Sequence, residues 1–244
     1  METPSKKLET KNTTRLSVAL DFADATDAQM ILKRLHGLPV VYKIGLELFT
    51  AAGPGFVRDC VDQGNEVFLD LKLYDIPNTV AHTVNAIASL GVTYTTVHLA
   101  GGKKMLDAIP AGLDLKILGV SVLTSFSEAD WKDTVLPITV APEKVRATVL
   151  NYADVASSHP VVGGMVCSPY EVASIRSKHP DLFLLVPGIR PDGSSAQDQA
   201  RVMTPGMAAK AGASMIVLGR PITQARDSRA VAELVLKELA ENEK

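Results

Sequence analysis

"NEVFLDLKLYDIPNTVAHTVNAIASLG", residues 65–91, is the stretch that decides the fold. From Val67 to Leu73 it is apolar apart from Asp70 and Lys72, the character of a strand covered on both faces. Ile76-Pro77 then holds the backbone in an extended turn just beyond Asp75. Pro77 suits the first turn of a helix, and the run it opens ends at Gly91. Strand, turn and helix together make one βα unit.

Working outward, the same unit recurs along the chain. Strand-like runs precede it at RLSVALDF from Arg15 and PVVYKIGLE from Pro39. Others follow at YTTVHLAGG from Tyr94, LKILGVSVLTS from Leu115, VVGGMVCS from Val161, LFLLVPGIR from Leu182 and SMIVLGRP from Ser214. The segments between them are long enough for helical crossovers, which parallel strands require. Thr26 or Asp27 can cap DAQMILKRL, and Thr204-Pro205 opens GMAAKAGA. The last run, DSRAVAELVLKELAENEK, places Val231, Leu234, Val235 and Leu239 on one helical face. Eight such units in 244 residues predict an α/β fold of the (β/α)8 TIM-barrel kind, typically about 250 residues. A doubly wound open sheet is the competitor, but no GxGxxG follows the first strand as its dinucleotide-binding version requires.

No composition break or Pro/Ser-rich linker divides the chain, so one domain is expected over residues 15–244 behind a disordered polar tail at 1–14. Two connections look long: Thr124 to about Val140, which Trp131 would anchor, and Pro187 to Pro205, with the Gly, Ser and Pro content of a lid. Both follow strands, where such barrels carry active-site loops.

Composition narrows the function. Lys+Arg total 25 against 27 Asp+Glu, so no global field draws the chain to nucleic acid or an anionic membrane. An anionic ligand must be held locally. Cys60 and Cys167 lack metal or disulfide spacing and read as core residues in a reducing compartment. With no apolar run near spanning length and no signal-like N-terminus, a cytoplasmic protein is expected.

Charged residues carry the chemistry. On a strand Asp70 and Lys72 share one side while Leu69, Leu71 and Leu73 share the other. At the C-terminal end of a barrel strand that side meets the substrate pocket. Asp21 ends the first strand and Lys43 lies in the second, so the four could form an alternating array. The bland reading is a salt-bridge ladder closing the barrel, yet apolar replacements of buried ion pairs are often as stable, which favours function. Later in the chain, Gly188-Ile189-Arg190 follows the seventh strand and Gly219-Arg220 the eighth. Small residues, a helix N-terminus and Arg donors after strands 7 and 8 suit a phosphate monoester.

At "DLKLYDIPNT", with "ALDF", "YKIGLELF", "HLAGG", "VLTS", "VCSP", "PGIRP", "DQAR", "MTP" and "LGRPIT" in family order, the chain resembles the orotidine 5'-monophosphate decarboxylases of the type common in bacteria. The resemblance runs from about Leu16 to the end. It implies conversion of orotidine 5'-monophosphate to UMP, the last step of de novo pyrimidine nucleotide synthesis, without metal or cofactor. Lys43, Asp70, Lys72 and Asp75 are then the catalytic array, with Asp75 donated across a homodimer. Asp21 and the partner chain's Thr79 hold ribose hydroxyls, Thr124 meets the pyrimidine, and Gln199, Gly219, Arg220 and Arg190 serve the phosphate. Relatives on the same barrel share DxKxxD but are magnesium-dependent sugar-phosphate decarboxylases or aldolases. Their second strand typically carries a carboxylate where this chain has Lys43.

Among the remaining residues, His98 is expected to make a structural hydrogen bond, Met203 and Met207 to pack in core or loop, and Lys103-Lys104 to begin a solvated helix.

Overall fold

The computed structural model describes residues 13–125, 142–191 and 203–242. Eight strands close into a barrel in chain order, and every pairing, including that of the first with the last, is parallel. They are β1 (Arg15–Ala19), β2 (Val40–Gly45), β3 (Glu66–Leu73), β4 (Tyr94–His98), β5 (Lys116–Val120), β6 (Val162–Val166), β7 (Leu184–Val186) and β8 (Met215–Leu218). Each of the eight candidate runs contributes one of them.

The near-continuous apolar strands bury two faces. Inward-pointing Ala19, Val41, Phe68, Tyr94, Leu118, Leu185, Met215 and Val217 fill the barrel. Alternate residues such as Leu16, Val18, Tyr42, Ile44 and Leu69 face the helices and join the larger outer core. Cys60 and Cys167 are buried and free, as small core residues should be.

The helices are α1 (Ala25–Arg34), α2 (Leu46–Asp62), α3 (Pro77–Ala88), α4 (Gly102–Asp107), α5 (Pro142–Ser158), α6 (Val172–Lys178), α7 (Pro205–Ala211), α8 (Arg220–Thr223) and α9 (Ser228–Glu241). Pro77 opens α3 and Thr204-Pro205 opens α7, where the Thr204 hydroxyl accepts from the Met207 N–H at 3.2 Å. The α1 cap is Asp24 rather than Thr26 or Asp27. Asp24 is the last extended residue, and its carboxylate accepts from the Thr26 N–H, which leaves Thr26 and Asp27 inside the first turn. In α9 the buried stripe is Ser228, Ala232, Val235 and Leu239, while Leu234 is 62% exposed. The helix is turned so that Val235 points inward with Ala232 and Leu239, and Leu234, about 100° away around the axis, falls on the outer side. Met203 packs against the core, but Met207 points out.

Thr14 is buried, and its hydroxyl donates to the Ala213 carbonyl at 2.7 Å. The rest of the expected tail, through residue 12, lies outside the described residues, as do Trp131 and most of both long connections. No helix among the described residues is long and apolar enough to cross a membrane.

Candidate active site

Three neighbouring strands deliver four charges to one rim of the barrel. Asp21 follows β1, Lys43 lies on β2, and Asp70 and Lys72 lie on β3. In the parallel register Ala19 sits opposite Lys43 and Gly45 opposite Asp70, which brings their ends together. Lys43 Nζ is 2.9 Å from Asp21 Oδ1 and 3.8 Å from Asp70 Oδ2, and Lys72 Nζ is 2.6 Å from the same Asp70 oxygen. The signs alternate along a continuous row.

Depth differs along it. Lys43 and Asp70 are sunk, with side chains 12% and 10% exposed, whereas Lys72 is 35% exposed and free to meet a ligand. Gly45 makes room for the pairing, because a Cβ there would stand 3.1 Å from Lys43 Nζ and 3.3 Å from Asp21 Oδ1. Buried ions are tolerable only when paired and hydrogen-bonded, and each sunk member here has an opposite charge on either side.

The backbone under the row is irregular. Lys72 has φ +49°, the only positive φ at a non-glycine among the described residues. Register between β3 and β4 slips there, from Leu69 opposite Thr95 to Leu73 opposite Val97. Thr96 fills the gap: its hydroxyl accepts from the Lys72 N–H at 2.9 Å and donates to Asp70 Oδ1 at 2.9 Å. Two adjacent threonines on a strand read as ordinary β-formers, so this residue carried no sequence signal beyond its inward parity with His98.

A cavity of about 370 Å³ opens above the row. Asp21, Lys43, Asp70 and Lys72 border it, as do Thr124, Arg190, Gly219 and Arg220, with an apolar wall of Val120, Val166, Leu185 and Val217. Eight residues expected at the site therefore meet around one space. Ligand pockets of this size combine apolar walls with a few placed polar groups. Arg190 is fixed through its backbone N–H, which donates to the Met203 carbonyl at 3.1 Å. The helix after Gly219 is one short turn, Arg220–Thr223, so the expected helix-dipole contribution is small and the Arg side chains carry the anion-binding capacity.

Asp75 and Thr79 do not border the cavity within one chain. Both are exposed, at the start of α3. The Asp75 carboxylate accepts from the Ile76 N–H at 2.7 Å and has no cation within 4 Å among the described residues. Gln199 lies outside the described residues. His98 also differs from expectation. Its ring makes no hydrogen bond among the described residues and instead packs on Tyr74, with centroids 5.6 Å apart. Burial and then the nearby Lys72 ammonium lower the His98 pKa from its ordinary 6.5, against a smaller upward pull from Asp70. A neutral ring beside Lys72 adds no competing charge. Lys103 lies exposed on α4 and pairs with Asp107 at 2.7 Å.

Comparison with known proteins places this geometry. The profile of the orotidine 5'-phosphate decarboxylase / HUMPS family matches residues 14–235. The orotidine 5'-phosphate decarboxylase of Sodalis glossinidius is 44% identical over 229 residues, covering 91% of this chain and 88% of its own. That of Opitutus terrae is 42% identical over 230 residues, covering 92% and 97%. Among solved structures, the orotidine 5'-phosphate decarboxylase of Lactobacillus acidophilus superposes with a TM-score of 0.78 at 37% identity, covering 93% of this chain and 99% of that one. With nearly the whole barrel matched in both sequence and shape, this chain belongs to the orotidine 5'-phosphate decarboxylase / HUMPS family.

Proposed function

We propose that the chain is a carboxy-lyase that converts orotidine 5'-monophosphate to UMP, closing de novo pyrimidine nucleotide synthesis, and that it does so without metal or cofactor. One observation carries the reading: Lys43 stands between Asp21 and Asp70, so an ammonium occupies the place where a divalent cation would need a carboxylate. A metal set beside that ammonium would be repelled, which disfavours the magnesium-dependent sugar-phosphate chemistry.

The chemistry follows from the row. Breaking the bond between C6 and the carboxylate leaves its electron pair on C6, in an orbital that no ring carbonyl is placed to delocalise. The barrier must therefore fall by electrostatics and positioning. Lys72 meets the developing carbanion with its ammonium and then gives C6 a proton, leaving a neutral amine that solvent recharges. Asp70 puts negative charge beside the substrate carboxylate, a repulsion relieved as CO2 departs. Lys43, and Asp75 brought by a second subunit, keep the row alternating and Lys72 charged and aimed.

On the cavity wall after β7 and β8, Arg190, Arg220 and the backbone at Gly219 take the phosphate, and Gln199 is assigned to the same group. Asp21 and the partner's Thr79 hold the ribose, and Thr124 faces the pyrimidine. Binding energy from the phosphate, remote from C6, is then spent on orienting the ring. We further infer that residues 15–244 act as one catalytic domain in the cytoplasm, where the buried thiols of Cys60 and Cys167 stay reduced.

The test is ultraviolet-monitored turnover of orotidine 5'-monophosphate by the purified protein in excess EDTA. Formation of UMP at an undiminished rate is the expected result. Turnover that needs added magnesium, or none at all from folded protein, would move the assignment to the sugar-phosphate branch.

A further inference from the structure

We propose that Thr96 is a positioning residue for the decarboxylation, resting on the reading above: its hydroxyl sets the bulge that aims Lys72 and fixes the rotation of Asp70. Thr96 is fully buried and does not border the cavity, so it acts only through its neighbours. Across the irregularity β3 advances from Leu69 to Leu73 while β4 advances only from Thr95 to Val97. The extra length must fold out of the ladder, and the Lys72 N–H loses its place in the regular pairing. The Thr96 Oγ1 accepts that N–H at 2.9 Å.

The same oxygen donates its single proton to Asp70 Oδ1 at 2.9 Å, so donor and acceptor capacities of one hydroxyl are both used. Asp70 is left with Oδ2 turned to Lys72 Nζ at 2.6 Å and to Lys43 Nζ at 3.8 Å. Thr96 therefore divides the carboxylate: one oxygen is tied to the scaffold, the other is presented to the cations. It also couples the main chain of the acid-donating lysine to the side chain of its carboxylate partner. Val in this place would keep the branched shape on β4 but leave the partly buried Lys72 N–H without this acceptor and Asp70 Oδ1 without this donor.

The test compares Thr96→Val and Thr96→Ser in the full-length protein, reading kcat and KM for orotidine 5'-monophosphate, competitive inhibition by UMP, and the melting temperature. Thr96→Val is expected to lose about a hundredfold in kcat, the scale of a misplaced catalytic group. Its KM and UMP inhibition constant should stay within about twofold of wild type, because the phosphate end is untouched. Thr96→Ser, which retains the hydroxyl, should recover most of the rate. A purely structural role would lower the melting temperature of both variants without this split. The proposal is overturned if Thr96→Val keeps the wild-type kcat, or if Thr96→Ser falls as far as Thr96→Val. Should Thr96→Val not fold, Thr96→Ala carries the same expectation. Wild-type turnover is the control that separates the two claims, since its absence would overturn the assigned reaction instead.

Discussion

Lys72 occupies a conformation that its side chain disfavours. At φ +49° an L-residue other than glycine, asparagine or aspartate costs about 1 kcal/mol or more, and such outliers gather where function overrides stability. This separates two properties of one position. Lys72→Ala removes a cation that, about 4 Å from a developing charge at an effective dielectric near 20, contributes roughly 4 kcal/mol, or about a thousandfold in rate. Lys72→Gly should be as inactive as Lys72→Ala yet more stable by about 1 kcal/mol in urea unfolding, because glycine adopts this φ without penalty. Equal stability of the two would mean the backbone relaxes and holds no strain. Strand parity made the shared side of Asp70 and Lys72 legible from sequence, since a period of two needs no tertiary knowledge. The bulge between them was not legible: Lys is no signal for positive φ, and the Thr96 hydroxyl that satisfies it comes from the next strand.

Among the elements, α2 shows how far local rules reach. It bends at Gly53, whose φ +70° and ψ −176° belong to a region open only to glycine, and Pro54 then restarts the helix. Beyond its chain neighbours and the helix's own nearby backbone, no atom lies within 4 Å of a Cβ built there, so Gly53→Ala separates backbone strain from crowding by packed neighbours. It should destabilise the fold by about 1–3 kcal/mol in denaturant unfolding while leaving the kcat unchanged. Strand positions were legible because parallel strands under two layers read as unbroken apolar runs. Helix faces were less so. Leu234 is apolar yet exposed, while small Ala232 takes the buried place, because packing geometry outranks hydrophobicity residue by residue. Asp24 was passed over as a cap for a related reason: the cap falls on the last extended residue, which periodicity alone does not locate.

For the whole molecule, the second subunit proposed above would cover the surface around Asp75. Tyr74 and Ile76, on either side of it, are large apolar residues that are 64% and 67% exposed. If Asp75 completes the neighbouring site, mixing inactive Lys72→Ala and Asp75→Ala proteins should restore activity, since one site in each mixed dimer then holds both wild-type residues. With random exchange about a quarter of all sites would recover. Absence of recovery, with mixed dimers demonstrated by mass spectrometry, would mean that Asp75 does not act across the subunit boundary. No pattern of hydrophobicity or charge within one chain specifies a contact between two chains, which is why the expectation of a shared site rests on family resemblance alone.

The closure of β1 against β8 also bears on how the protein is made. Synthesis delivers Arg15–Ala19 before any other strand of the barrel and Met215–Leu218 after the other seven. Throughout that interval one edge of β1 has no ladder partner, although its apolar face is already present, and an uncovered edge of this kind invites pairing with other chains. The four charges from Asp21 to Lys72 precede most of the barrel, but Arg220, which borders the same cavity, arrives just after the closing strand. A chain cut short before β8 therefore has an unpaired β1 edge and lacks Arg220.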